Sequence, residues 1–123
     1  MSSYAEIVDW YIATWNETDA GRRRDLIART WTKDARYIDP LAQSQGHHDI
    51  DAMIRSVQER FPGLRFRLDG KVDGYADRVR FSWTLAPEQG GALVKGTDFA
   101  IVTDGKLAAV TGFIDQMPQA GAQ

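Results

Sequence analysis

Cysteine is absent from the chain, which excludes a disulfide framework and any thiolate-held metal centre, and fits a reducing compartment. Histidine is scarce: only His47 and His48 occur, next to each other. Adjacent side chains at a helix start point in different directions and do not chelate together, and no other metal-ligand spacing exists, so no metal is expected. An excess of one charge is missing too. The 15 basic side chains are offset by 17 acidic ones, leaving no field to hold a polyanion. Nucleic acid and anionic membrane surfaces are therefore not expected partners. The one basic cluster, Arg22-Arg23-Arg24, is flanked by Asp19 and Asp25 and reads as a solvated helix face. No run approaches the ~18 apolar residues of a membrane span, and the first residues lack the basic-then-apolar pattern of a secretion signal. A soluble, cytoplasmic protein is expected. Triad spacings, phosphate-binding glycine loops and dinucleotide fingerprints are missing as well, and no cofactor is expected.

What is present is patterned and aromatic. The 123 residues suffice to bury one core, and no repeat, linker or low-complexity segment divides them. One domain over 1–123 is expected, with 118–123 as a frayed tail. Ser3-x-x-Glu6 is a capping box, and Tyr4, Ile7, Val8, Tyr11, Ile12 and Trp15 recur behind it at helical spacing. They predict a helix from about residue 3 to 16 with one broad apolar stripe. A second helix runs to about Trp31, and Ala35 to Asp39 form a short strand ended by Pro40. Alternation puts Ala35, Tyr37 and Asp39 on one face. A loop over 41–46 leads to a third helix from His48 or Asp49, with Ile50, Met53, Ile54, Val57 and Phe61 on one side and Pro62-Gly63 at its end.

Beyond residue 63 the period changes from 3.6 to 2. Leu64, Phe66 and Leu68 alternate with charged residues, and so do Val79, Phe81, Trp83 and Leu85 with polar ones. Two further strands, about 92–103 and 106–115, flank Asp104-Gly105, a preferred two-residue hairpin turn. Three helices followed by antiparallel strands describe an α+β domain with helices on one face of a sheet.

Several stretches together resemble the SnoaL-like branch of the nuclear transport factor 2 superfamily, over about residues 4–117. They are the aromatic first helix, Trp31 through Tyr37-Ile38-Asp39-Pro40, Gly46-His47-His48, Gly96-Thr97-Asp98-Phe99 and Asp104-Gly105 through Asp115. The resemblance implies a cone-shaped fold, with three N-terminal helices on a curved mixed or antiparallel sheet and an apolar pocket between them. It also implies a homodimer through the sheet. Tyr11 to Pro40 is most similar to ketosteroid isomerases, which have a tyrosine on the first helix and an aspartate before a proline after the first strand. That resemblance gives Tyr11 as oxyanion donor and Asp39 as proton-shuttling base.

Each of these residues also has a structural reading. Asp39 is either a base made stronger by an apolar pocket or a turn aspartate bonded to nearby amides. Tyr11 is either a hydrogen-bond donor to ligand or a core aromatic. His47 is a candidate second acid–base group at the pocket mouth, or a solvated histidine near a helix start. Trp15, Trp83, Thr97, Phe99 and Gly112 are expected to line the pocket. Thr97 shares a face with Phe99 and Ile101, the more apolar face of its strand, so Asp98 is expected to point outward with Thr111 and Asp115. Three functions follow: an isomerase or cyclase abstracting a proton beside a carbonyl of a hydrophobic small molecule, a non-catalytic binder of such a molecule, or an interaction module.

Overall fold

The computed structural model describes residues 3–118; of the expected tail over 118–123, residues 119–123 lie outside them. The order along the chain is α1 (Tyr4–Asn16), α2 (Ala20–Thr30), β1 (Trp31–Ile38), β2 (Gln43–Gln45), α3 (Gly46–Arg60), β3 (Leu64–Tyr75), β4 (Arg78–Pro87), β5 (Val94–Thr103) and β6 (Lys106–Gln116). The strands form one mixed sheet in the order β2-β1-β6-β5-β4-β3. Only the β1–β6 pairing is parallel; the others are antiparallel.

Local chemistry sets most of these elements. Ser3 and Glu6 make the expected reciprocal cap of α1, the Glu6 amide donating to the Ser3 hydroxyl and the Ser3 amide to the Glu6 carboxylate. Asp19 caps α2 by accepting from the Arg22 amide at 2.9 Å. The hairpin between β5 and β6 turns on Asp104 and Gly105, both at positive φ (52° and 79°), as a two-residue turn of this hand requires. Trp31 belongs to β1 and is not the last residue of α2, so the strand is four residues longer at its start than the alternation suggested. Its β-region backbone follows directly from the helix C-cap. A short β2 replaces part of the expected loop, and α3 begins at Gly46 without a side-chain cap.

One apolar cluster lies between helices and sheet. Ile7, Val8, Tyr11 and Trp15 supply it from α1, Ile50, Met53 and Ile54 from α3, and Val79, Phe81, Trp83 and Leu85 from β4. A polar clamp fixes the helices to one another. Buried Arg23 donates from Nε to Asp51 at 2.6 Å and from Nη1 to Gln58 and to the Glu17 carbonyl. Gln58 in turn donates to the carbonyls of Trp15 and Glu17, so the unsatisfied C-terminal carbonyls of α1 are held by α3.

Candidate active site

The strand β5 decides what the inside of the sheet contains. Its residues pair with the inward row of β4: Val94 opposite Leu85, Gly96 opposite Trp83, Asp98 opposite Phe81 and Ala100 opposite Val79. Directly opposite residues share a face, so Val94, Gly96, Asp98 and Ala100 face inward. Thr97 and Phe99, expected inside, are on the outer face. There the Thr97 hydroxyl bonds to Ser82 and Asp115, and Phe99 stacks edge-on against Phe113 at 5.9 Å. Asp98, expected outside, is 1% exposed. The pairing to β6 is also offset. Ala108 is the extra residue of a bulge between Ile101↔Ala109 and Val102↔Leu107, which puts Gly112, not Thr111, opposite Asp98.

Two donors converge on Asp98. The Tyr11 hydroxyl, from α1, donates to Oδ2 at 2.6 Å, and the Trp83 indole N–H, from β4, to Oδ1 at 3.1 Å. Burial pushes this carboxyl up to about 6, with the hydrogen bonds from Tyr11 and Trp83 opposing it and the charges of Asp39 and Asp115 adding to it. Burial also holds the Tyr11 hydroxyl well above its ordinary value. The charge of Asp98 and the Tyr37 phenol beside it act in the same direction, against an opposing pull from the Trp15 indole. Tyr11 is thus a proton donor in hydrogen bonds throughout the physiological range.

Asp39 stands just past the end of β1, at the border of the cavity. Its Oδ1 accepts from the amides of Leu41 and Ala42 at 2.7 and 2.9 Å, a turn-aspartate arrangement. Its Oδ2 accepts from the Tyr37 hydroxyl at 2.5 Å and borders the cavity between helices and sheet. Tyr37 itself went unnoticed in the sequence as a partner. The signal was there, because residues 37 and 39 share one face of a strand and so stand side by side. Burial, then the charges of Asp98 and Asp39, push the Tyr37 phenol far above its ordinary range.

The cavity has a volume of about 60 Å³. Its walls are Tyr11, Ile12 and Trp15 of α1, Val57 and Phe61 at the end of α3, and Tyr37, Phe66, Trp83 and Leu85 from the sheet, with Asp39 and Asp98 as its carboxyls. At Trp15, Asp39, Leu41, Val57 and Phe61 it adjoins a wider cleft of about 530 Å³ that runs along α3 and contains Ser44, Ser56 and Arg60. Trp15 and Trp83 both border the cavity. Gly112 faces inward beneath the two carboxyls: a side chain there would stand 2.9 Å from Asp98 Oδ1 and 3.2 Å from Asp39 Cβ. His47 is not brought to the cavity. Its Nε2 lies 3.0 Å from the carbonyl oxygens of Trp31 and Thr32, tying the first turn of α3 to the start of β1. Among the described residues no cluster of three or more His, Asp or Glu side chains is placed to hold a metal ion. No helix among them is long and apolar enough to cross a membrane.

Three helices on an open six-stranded mixed sheet, with a carboxyl buried on its inner face, define a protein of the nuclear transport factor 2-like fold. More narrowly, the chain belongs to the SnoaL-like domain family, which matches residues 8–110. A candidate isomerase of the SnoaL-like family from Agrobacterium tumefaciens str. C58 is 40% identical, with a TM-score of 0.88 over 94% of this chain and 99% of that one. A candidate ketosteroid isomerase from Kribbella flavida DSM 17836 is 20% identical, with a TM-score of 0.69 over 94% of this chain and 80% of that one. A candidate polyketide cyclase from Sinorhizobium meliloti is 18% identical, with a TM-score of 0.66 over 87% and 93% of the two chains. The last two are likenesses of fold. No curated protein matches this chain.

Proposed function

We propose that this protein is a proton-transfer enzyme, an isomerase or cyclase, that acts beside the carbonyl of a small hydrophobic molecule, with Asp98 as the group that takes and returns the proton. The observation that carries this reading is a carboxyl 1% exposed, bordering an apolar cavity and pushed up to about 6. A base of that strength is mostly ionised near neutral pH yet strong enough to accept a proton in the transition state. The C–H bond next to the carbonyl breaks and its proton passes to a carboxylate oxygen of Asp98. The freed pair forms a carbon–carbon double bond, and the carbonyl π pair moves onto oxygen. Asp98 then returns the proton to the same carbon or to another one. When Asp98 becomes neutral its hold on the Tyr11 hydroxyl weakens, because hydrogen bonds to charged acceptors are the stronger ones. Tyr11 is then free to follow the negative charge to the substrate oxygen.

A second assignment has support from Asp39, which borders both the cavity and the wider cleft. In that version Asp39 is the base and Asp98 works with Tyr11 as a donor. Proton-exchange measurements separate the two. Acetophenone and cyclohex-2-enone are incubated with the protein in D2O, and loss of the exchangeable C–H signal is followed by NMR. Asp98→Asn is expected to lower the exchange rate about a hundredfold or more, the usual scale of general base catalysis, and Asp39→Asn to lower it much less. The reverse order transfers the base role to Asp39. If neither substitution alters exchange, the reading reduces to a binder without chemistry. The outer face of the sheet, with Phe99 and Phe113 exposed, is proposed as a homodimer surface.

A further inference from the structure

The hydrogen-bond donors around the cavity are nearly all engaged. Tyr11 and Trp83 both donate to Asp98, and Tyr37 donates to Asp39. One donor is not engaged: the indole N–H of Trp15 is buried and has no hydrogen-bond partner, although its residue is only 6% exposed and forms part of the cavity wall. Leaving a buried donor unpaired forfeits its hydration without return, so such a group in a native fold calls for an explanation. Trp31 has a similarly unpaired N–H, but Trp31 does not border the cavity. Among the described residues, Trp15 is thus the cavity-lining residue with an unpaired buried N–H.

Its position suits an oxygen acceptor. Trp15 follows Tyr11 by one helical turn, so the two side chains lie on the same face of α1. Their rings are 6.2 Å apart, and the indole N–H is turned toward the Tyr11 phenol, on which it acts as a donor does, without reaching full hydrogen-bond geometry in the resting site. The N–H thus stands on the side of the ring that meets Tyr11, whose own hydroxyl is bound to Asp98. The ring is held in place by tilted packing against Tyr37 at 5.8 Å and Phe66 at 5.3 Å. The backbone is held as well, since Gln58 donates to the Trp15 carbonyl and is itself fixed by Arg23. A donor that cannot turn away, in a site poor in water, is suited to stabilise charge as it develops.

We propose that the indole N–H of Trp15 receives the carbonyl oxygen of the substrate and stabilises the negative charge that forms there when Asp98 removes the neighbouring proton. The assignment rests on the carbonyl chemistry proposed above. It also limits the substrate, because a cavity of about 60 Å³ has room for roughly four to six solvent-sized groups. The buried part is a single small ring or a short branched chain next to the carbonyl, and a larger molecule would have to extend into the cleft along α3.

The test follows the N–H itself. In protein labelled with ¹⁵N, the Trp15 indole resonance is assigned as the one lost in Trp15→Phe, or from its contacts with Tyr11 and Phe66 should that variant not fold. Cyclohex-2-enone is expected to move this resonance downfield with saturation, and cyclohexene, of matched shape but without the oxygen, to leave it in place. Trp15→Phe should weaken binding of the ketone about tenfold more than binding of cyclohexene, and lower proton exchange about a hundredfold. Absence of a saturable downfield shift, or a Trp15→Phe protein with wild-type exchange and ketone affinity, overturns the proposal. Asp98→Asn separates this assignment from the base assignment. A Trp15 shift that persists in Asp98→Asn while exchange also persists sinks the base and leaves the donor standing; lost exchange without any shift sinks the donor alone.

Discussion

Gly112 lies so close to Asp98 that a methyl group on it would stand 2.9 Å from Oδ1. The same methyl would be 3.2 Å from Asp39 Cβ and 3.5 Å from the Tyr37 hydroxyl. A flexible side chain would step aside at little cost. Asp98 cannot, because Tyr11 and Trp83 hold both of its oxygens. Gly112→Ala is therefore expected to lower stability by about 1–3 kcal/mol, the usual range for overpacking a filled interior. Proton exchange should fall with it, because the carboxyl loses its alignment with the cavity. Thermal denaturation and NMR exchange measure the two effects; wild-type values in both would mean that the carboxyl is not held as described.

Gly96 and Trp83 form a second tight pair. A Cβ at position 96 would be 2.2 Å from Trp83 Cζ2 and 2.8 Å from the Phe113 carbonyl oxygen. The indole is pinned along that same edge by the bond from its Nε1 to Asp98, and the Phe113 carbonyl is strand backbone. Gly96→Ala should destabilise the fold by about 3 kcal/mol, toward the upper end of overpacking. A denaturant midpoint within error of wild type would contradict this account of the site.

These two glycines explain why the inside of β5 was hard to read in the sequence. The helical stripe of α1, the alternation of β4 and the Asp104-Gly105 turn each declare themselves through residue types that suit only one environment. The β5 strand does not. Its inward row of Val94, Gly96, Asp98 and Ala100 is small and includes a charge, because large aromatics from β4 and α1 already fill that side. Its outward row of Thr97, Phe99 and Ile101 is the more apolar. Ranking faces by apolarity thus inverts the strand and puts Asp98 on the wrong side. The face is fixed by pairing with β4, a long-range fact. The bulge at Ala108 hid the opposition of Asp98 and Gly112 in the same way, since simple counting from the turn misses an inserted residue. Tyr11 and Asp39 were legible because each is positioned by its own element, whereas His47 shows only in three dimensions that it serves backbone carbonyls.

The apolar outer row has a consequence of its own. Phe99 and Phe113 are 45% and 51% exposed and packed edge to face on the side of the sheet away from the helices. Exposed aromatics in contact are typical of an association surface. In light scattering after size exclusion, the wild type is expected as a dimer at micromolar concentrations and Phe113→Asp as a folded monomer. A wild type that stays monomeric at a hundred micromolar would remove the dimer proposal. The cavity face is unaffected by this substitution, so circular dichroism should not change.

Asp98 gives the sharpest link between stability and function. Its carboxyl is pushed up to about 6 in the folded chain from an ordinary 3.8, so the native state binds its proton more tightly than the unfolded state. The resulting stabilisation is fully present below pH ~4 and is lost as the pH rises through about 6, amounting to roughly 3 kcal/mol over the whole window. Asp98→Asn removes this dependence. The variant should be more stable than wild type at pH 7.5 by up to about that amount, and the difference should close between pH 6 and 4. Activity should move oppositely: wild-type proton exchange rises with pH up to about 6 and then levels, while the more stable variant exchanges hardly at all. Urea denaturation of both proteins at several pH values reads the first effect. A stability difference that stays constant from pH 4 to 7.5 would show that Asp98 is not the strained carboxyl on which the proton-transfer mechanism depends.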